Sequence, residues 1–160
     1  CICVCTCARL ALPSSLRRQR QLCISDSSID HVRIADVWSD RAPFAWPEDV
    51  VNEVEMVLRT TNYPDVALLE HLMTLDDVDA QRISEWMHFS TNLFPIYSQK
   101  ACETLGRMGL ETPYKPKDIA SYGLYVSRIE GLKLHAPAAG LPEIGLPRTR
   151  MLQLGLERFE

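Results

Sequence analysis

The chain has 160 residues and a mass of 18.2 kDa, which is enough for one domain with terminal segments and too little for two ordinary domains. Its 46% hydrophobic and 24% charged residues exclude disorder throughout the chain. The formal net charge is −4, but residues 1–25 carry +4 and no acid, so the other residues carry −8. This acidic body argues against nucleic-acid binding, and no apolar stretch approaches the roughly 20 residues that cross a bilayer.

Residues 1–34 have the composition of a mitochondrial presequence or a disordered arm. Between Ala8 and Ser28 the chain is rich in arginine, leucine and serine, and its first acid is Asp26. Presequences share this basic, acid-poor composition. An arbitrary basic tail is the alternative interpretation. In either case, we expect the segment to stay outside the folded core.

The cysteines do not form a recognisable framework. Four of them alternate with other residues from Cys1 to Cys7, whereas zinc sites normally separate paired ligands by two or more residues. A thiolate cluster for a soft metal such as Cu(I) is compatible with the spacing, and it supports an alternative hypothesis of a thiol- or metal-dependent enzyme. We favour a segment that is removed, disordered or a reading-frame artefact. Cys23 and Cys102 are distant in the sequence and predict no disulfide framework.

Four amphipathic patterns follow, each with apolar residues at the three- and four-residue spacing of a helix. The first helix is expected after Pro47, and the breaks between the four are Thr60–Pro64, Asp76–Asp77 and Phe94–Pro95. Either acid of the second break is a candidate N-cap, and Gly109 is expected to end the fourth helix. The predicted buried residues are Val50, Val51, Val54, Val57, Leu58, Val66, Leu68, Leu69, Leu72, Met73, Val78, Ile83, Trp86, Met87, Phe89, Ile96, Tyr97, Ala101, Leu105 and Met108.

Short turns between helices of this length make consecutive helices antiparallel neighbours. We therefore expect residues 35–118 to form an all-α domain of antiparallel helical hairpins, with extended N- and C-terminal arms. A core of this size is marginal by itself, so dependence on a partner is expected.

The C-terminal residues 119–160 are punctuated by proline and glycine. Pro137, Pro142 and Pro147 are evenly spaced, and Gly-Leu-Pro occurs twice. Because proline lacks an amide donor and interrupts helices, the pattern predicts an extended tail that orders against a partner. Within it, the sequence around Tyr122 favours a short strand or extended arm, and the last residues could form a short helix.

No constellation predicts a catalytic, cofactor-binding or metal-binding site. Glu85-x-x-His88 has ligand spacing, but a di-iron bundle would need a second pair and two more glutamates, so we interpret both as surface residues of a helix. Asp76, Asp77 and Asp79 lack the glycine and distal glutamate of a calcium loop, which favours turn and cap roles. The sequence contains no Gly-rich phosphate loop and no G-x-S-x-G elbow.

Aromatic residues and prolines are the candidates for contact with a partner protein, because such side chains anchor interfaces. The candidate partner-interface residues are Trp38, Phe44, Trp46, Trp86, Phe94, Tyr97, Tyr122, Pro142 and Pro147.

The segment Leu93-Phe94-Pro95-Ile96-Tyr97-Ser98-Gln99 resembles the opening of the last helix in the family of cytochrome c oxidase subunit Va, which is called subunit VI in fungi. The close of that helix is similar to Gly109-Leu110-Glu111-Thr112-Pro113. The other similar positions are Trp38, Pro64–Asp65, Thr74-Leu75-Asp76-Asp77-Val78 and Thr104-Leu105. The resemblance runs from Trp38 to Pro113, and the tail beyond has no counterpart in the family pattern.

The resemblance implies a small tetratricopeptide-like superhelix and a non-catalytic accessory subunit of complex IV. Such a subunit carries no haem or copper ligands and lies on the matrix side of the mitochondrial inner membrane, held there by other subunits. The basic N-terminal segment agrees with import into mitochondria. An accessory subunit of another mitochondrial complex is the alternative hypothesis, with ATP synthase, complex I and the ribosome as candidates. The acidic body makes the ribosome the least favoured of these.

Overall fold

The structure is a computed structural model that describes residues 28–47, 50–51, 54, 66–136 and 145–159. These residues form helices and loops without a strand, so the predicted all-α class is confirmed. The helices are α1 (Ser28–Trp38), α2 (Val66–Leu72), α3 (Ala80–Thr91), α4 (Gln99–Arg107), α5 (Ile119–His135) and α6 (Arg148–Arg158). None of them combines the length and apolar character that a membrane crossing requires.

Helix α3 is the centre of the fold. Its residues 82–89 are all buried, so the helix is enclosed on every face. Asp79 caps it, because its Oδ1 accepts a hydrogen bond from the backbone N–H of Arg82 at 2.7 Å. The prediction that Asp76 or Asp77 is the cap is therefore wrong. Asp77 adopts a left-handed conformation with φ of 60°, and the chain turns there before the helix begins.

Some of the described helices pack against helices that do not follow them directly in the chain. Helix α1 packs against α3, and α4 and α5 both pack against α6. The first predicted helix is described only at Val50, Val51 and Val54, which are helical, and residues 55–65 lie outside the described residues. The stacked hairpins of a tetratricopeptide-like superhelix therefore stay a prediction.

The start of α4 differs from the prediction. Instead of opening at Phe94–Pro95, the helix begins at Gln99, and the Ser98 side chain accepts a hydrogen bond from the backbone of Ala101 as its N-cap. Its end agrees with the prediction, because Gly109 follows the helix in the left-handed conformation with φ of 83°. Met108, predicted to be buried, is 49% exposed beside this glycine.

Residues 94–97 form a buried connector without helix or strand between α3 and α4, which we call the central connector. Buried backbone groups need hydrogen-bond partners, and outside a helix or sheet those partners have to be side chains or water. Side chains of α3, α5 and α6 supply them here. The pairs are Phe94 O with His88 Nδ1 at 2.8 Å, Pro95 O with Tyr122 OH at 3.1 Å, Ile96 N with Gln153 Oε1 at 2.9 Å, Ile96 O with Tyr125 OH at 3.1 Å, and Tyr97 N with Ser84 Oγ at 2.7 Å.

Helix α5 lies where an extended tail was predicted, so that prediction is wrong for residues 119–135. Asp118 caps the helix, and Tyr122, Tyr125 and Ile129 form its buried stripe at helical spacing. The rings of Tyr122 and Tyr125 lie 5.4 and 5.3 Å from the ring of Tyr97 in the central connector. Helix α6 confirms that the last residues form a helix. Residues 137–144 lie outside the described residues.

The N-terminal boundary of the folded body also differs from the prediction. Helix α1 begins at Ser28, inside the predicted arm of residues 1–34, and Val32 is completely buried. The apolar face of this helix packs against α3, which is why it belongs to the core. Residues 1–27, with Cys1–Cys7 and Cys23, lie outside the described residues.

Candidate functional site

The N-terminal half of α3 carries a buried ion pair between Arg82 and Asp36 of α1. Arg82 Nη2 lies 2.9 Å from Asp36 Oδ2, and Arg82 Nε donates to Asp36 Oδ1 at 2.9 Å. The carboxylate also accepts hydrogen bonds from Trp86 Nε1 at 2.8 Å and from the backbone N–H of Phe44 at 2.9 Å. Because Asp36 and Arg82 are 0% and 5% exposed, this full set of partners is what makes their burial tolerable.

The remaining donors of Arg82 hold two loops in place. Nη2 donates to the carbonyl of Ala42 at 2.8 Å, and Nη1 donates to the carbonyl of Asp77 at 3.2 Å. The guanidinium also lies over the rings of Phe44 and Trp86, with Cζ 5.1 and 5.4 Å from their centroids. Arg82 thus joins the loop after α1 to the turn before α3.

An open depression of about 420 Å³ lies between these two loops. Its apolar lining includes Pro43, Phe44 and Leu75, and the charged residues of its described lining are Asp76, Asp77 and Arg82. Asp36 neutralises the arginine, whereas both aspartates of the lining are exposed. We call this feature the acidic depression.

Three half-buried aromatic side chains pack against α3, and we call Trp38, Phe44 and Trp46 the aromatic platform. Trp46 lies 4.9 Å from Phe44 and 4.8 Å from Trp86, measured between ring centroids. Trp38 contacts Phe89 of α3 at 5.5 Å, and the guanidinium of Arg150 from α6 lies 5.5 Å from the Trp38 ring. Buried neighbours therefore fix the orientation of each ring of the platform, while part of its surface faces solvent.

The structure divides the predicted interface residues into two groups. The aromatic platform is half-buried, as is Pro147, and its residues stay candidates for partner contact. The core residues are Trp86, Phe94, Tyr97 and Tyr122, which are 1%, 9%, 0% and 2% exposed. The rings of Tyr97 and Tyr122 contact each other between the central connector and α5, whereas the Trp86 ring packs against Phe44 and Trp46. All four side chains are core residues, so they do not form the predicted contact surface. Pro142 lies outside the described residues.

Glu85 and His88 belong to α3 and are buried in the core, so their interpretation as surface residues is wrong. Glu85 is 2% exposed, and its Oε1 accepts a hydrogen bond from Gln81 Nε2 at 3.0 Å. Burial raises the pKa of Glu85 despite Arg41, whose Nη1 lies 3.6 Å from Oε2. Tyr114 extends this hydrogen-bond chain outward by donating to Gln81 Oε1 at 2.8 Å.

His88 is completely buried, and its Nδ1 contacts the carbonyl of Phe94 in the central connector. Because the carbonyl of Phe94 can only accept, Nδ1 of His88 is the donor in their hydrogen bond. Burial lowers the pKa of His88 to about 4, and the nearby charge of Arg150 acts in the same direction. Among the described residues, no group of three or more His, Cys, Asp or Glu side chains could hold a metal ion.

Cys102 lies on α4, as predicted, with a free thiol that is 2% exposed. Burial raises its pKa to about 12. Since the thiolate is the reactive form, this cysteine is unreactive at neutral pH.

Asp36, Arg82 and Gln153 hold the site and the central connector together, and none of them stands in a sequence pattern that indicates this role. Asp36 and Arg82 are 46 positions apart, and Gln153 is 57 positions from Ile96. No local pattern indicates such pairs. Only the spacing of Tyr122, Tyr125 and Ile129 carried a readable signal, that of a buried helical stripe.

Comparison of the chain with known protein families, with curated proteins and with solved structures found no match.

Proposed function

We propose that the chain is a non-catalytic, helical accessory subunit that stabilises a larger protein assembly by packing against its other subunits. The observation that carries this proposal is the aromatic platform of Trp38, Phe44 and Trp46. Partly exposed aromatic rings held by a rigid base are typical of interface anchors, because they bury large areas and lose little conformational freedom on binding.

The buried polar groups support the same function. Arg82 and Asp36 use their donors and acceptors on each other and on two loops, and His88 and Gln153 bind the central connector. Such contacts stabilise and orient the fold. A scaffold that presents a surface has this requirement, whereas a catalytic group has to face a substrate.

We further propose cytochrome c oxidase as the assembly, with the chain peripheral on the matrix side of the mitochondrial inner membrane. The support is the resemblance of Leu93–Gln99 and Gly109–Pro113 to subunit Va, together with the basic residues 1–25. Gly109 adopts the left-handed conformation that a helix end of this kind uses.

Native electrophoresis of mitochondrial membranes tests both levels of the proposal. The tagged full-length chain should migrate with assembled oxidase, and its depletion should lower the amount of that complex and its activity. A tagged variant in which Trp46 is replaced by alanine should fold and associate more weakly, whereas the exposed Leu134→Ala variant on α5 serves as a control.

Intact and fully active oxidase after complete depletion would contradict the assignment to this complex. Co-migration with another mitochondrial complex would then support the general function alone. Migration as a free chain under all conditions, or turnover of a substrate by the purified chain, would contradict the accessory function itself.

A further inference from the structure

We infer that the acidic depression binds a basic segment of a neighbouring protein, in which a bulky apolar side chain is flanked by Lys or Arg. The inference rests on the proposed function, since it requires that the chain work by binding other proteins. It adds the chemistry of the partner and the place where that partner is held.

The charge of the lining selects a cationic partner. Asp76 and Asp77 are exposed, and neither carboxylate has an ion-pair or hydrogen-bond partner among the described residues. Arg82, the one cation among the described residues of the lining, is held at 2.9 Å by Asp36 and is 5% exposed, so Asp36 compensates its charge from inside the fold. The uncompensated charge of the depression is therefore negative, and it attracts cations across solvent.

The apolar part of the lining selects a side chain rather than an inorganic ion. Pro43, Phe44, Pro47 and Leu75 line the depression beside the two carboxylates. Apolar surface gains free energy only when another apolar group covers it. A segment that places an apolar side chain over these residues and a Lys or Arg beside Asp76 and Asp77 satisfies both parts of the lining.

The shape favours a protein segment over a small molecule. A volume of about 420 Å³ is within the usual range for ligand sites, roughly 300–1,000 Å³, but those sites enclose most of the ligand surface. This depression is open to solvent, so a small molecule would stay largely exposed in it. A segment that belongs to a docked protein needs only its anchoring side chain to be covered.

The walls of the depression are fixed before binding. Arg82 holds one wall through the carbonyl of Ala42 and the other through the carbonyl of Asp77. Asp36 holds the first wall as well, because its carboxylate accepts a hydrogen bond from the backbone N–H of Phe44. Little ordering is therefore required on association, which favours affinity. The aromatic platform shares Phe44 with the depression, so one partner can cover both surfaces.

A labelled peptide titration tests the inference with the full-length chain. The probe is a short peptide with one leucine between arginine pairs, and two matched peptides carry serine for leucine or glutamate for arginine. The test variant is Asp76→Asn/Asp77→Asn. Asparagine tolerates the left-handed conformation of Asp77, so the turn should be kept. The control variant Glu103→Gln/Glu111→Gln removes two exposed acids elsewhere.

The unchanged chain should bind the leucine peptide, and Asp76→Asn/Asp77→Asn should weaken binding about three- to tenfold at low salt. The control variant should bind as the unchanged chain does. The serine peptide should bind about tenfold more weakly, because it loses the burial of leucine. The glutamate peptide should not bind.

Failure to bind, equal losses in the two variants, or equal affinity for the leucine and serine peptides would each overturn the inference. Arg17→Gln/Arg18→Gln/Arg20→Gln in the full chain should leave peptide affinity unchanged. Tighter binding by that variant would mean that the chain's own basic residues occupy the depression, and would overturn the assignment to a neighbour. Native electrophoresis separates this from the proposed function: co-migration with a complex despite a negative peptide result leaves the function standing.

Discussion

Gln153 of α6 accepts a hydrogen bond from the backbone N–H of Ile96 at 2.9 Å, and both groups are buried. The same side chain donates through Nε2 to Glu157 at 2.9 Å, which fixes the orientation of its amide. The contact joins the last described helix to the middle of the central connector. The interior of this protein is therefore completed by polar contacts as well as by apolar packing.

Replacement of Gln153 by leucine should destabilise the fold by about 1–3 kcal/mol, because the N–H of Ile96 would stay buried without an acceptor. Urea unfolding followed by circular dichroism measures this change. Gln99→Leu, at an exposed position of α4 where the amide binds only Glu103, is the matched control and should change stability by less than about 0.5 kcal/mol. Equal stabilities of the two variants would contradict the role assigned to Gln153.

Replacement of Arg82 by methionine should cost about 3–5 kcal/mol, because Asp36 would keep a buried charge without its cation. The carbonyls of Ala42 and Asp77 would also lose their donors. The surface pair Lys133–Glu130 provides the comparison, since Lys133→Met removes an exposed contact and should cost less than about 1 kcal/mol. Denaturant titration measures the free energy of unfolding of both variants. Similar decreases in the two variants would refute the prediction.

Lowering the pH should destabilise the folded protein, because the buried His88 resists protonation. Burial lowers its pKa to about 4 from the usual 6.5, so the stability it contributes is fully present above pH 6.5 and is lost as the pH falls through about 4. The loss at low pH is about 3 kcal/mol relative to a neutral residue at this position. In His88→Gln, the unfolding free energy should fall less between pH 7 and pH 4 than in the unchanged chain.

The exposed His71 provides the control for this comparison, and His71→Gln should keep the pH dependence of the unchanged chain. Unfolding free energies have to be measured at several pH values, because carboxylates titrate in the same range and only the difference between variants isolates His88. Parallel pH profiles for the unchanged chain and His88→Gln would contradict the prediction.

Alanine substitutions at Gly106, inside α4, and at Gly109, just beyond its end, should change the stability of the fold in opposite directions. Gly109 has φ of 83°, where a Cβ is strained, so Gly109→Ala should cost about 1 kcal/mol. Gly106 is helical, and outside its chain neighbours and the backbone of its own helix no described atom lies within 4 Å of an added Cβ, so Gly106→Ala should stabilise by roughly 0.5–1 kcal/mol. Thermal unfolding of the two variants measures this difference. Unfolding temperatures that shift in the same direction would contradict the prediction.

The sequence predicted features that depend on local signals. The end of α4 follows from Gly109 alone, since a left-handed residue is what a glycine at a helix end supplies. The position of Cys102 on a helix and the all-α class follow from apolar spacing in the same way. Such signals depend on a few neighbouring residues and do not require knowledge of the packing.

The predictions that failed depend on contacts between distant segments. Phe94–Pro95 has the form of a helix opening, but His88, Tyr122 and Gln153 bind the backbone at residues 94–96, which is not helical. Glu85 and His88 were assigned to the surface because ionisable residues are seldom buried. They are buried because α1, α5 and α6 enclose this part of the fold, and the full extent of those helices was not predicted.

The central connector also orders the events of biosynthesis. The ribosome makes Ile96 57 positions before Gln153, so a nascent chain holds the connector for several seconds without its acceptor from α6. A protease or a chaperone that recognises exposed apolar chain would meet Phe94–Tyr97 during that interval. We therefore expect a shortened translation product without α6 to be degraded faster than the full chain, because the N–H of Ile96 would keep no acceptor from Gln153.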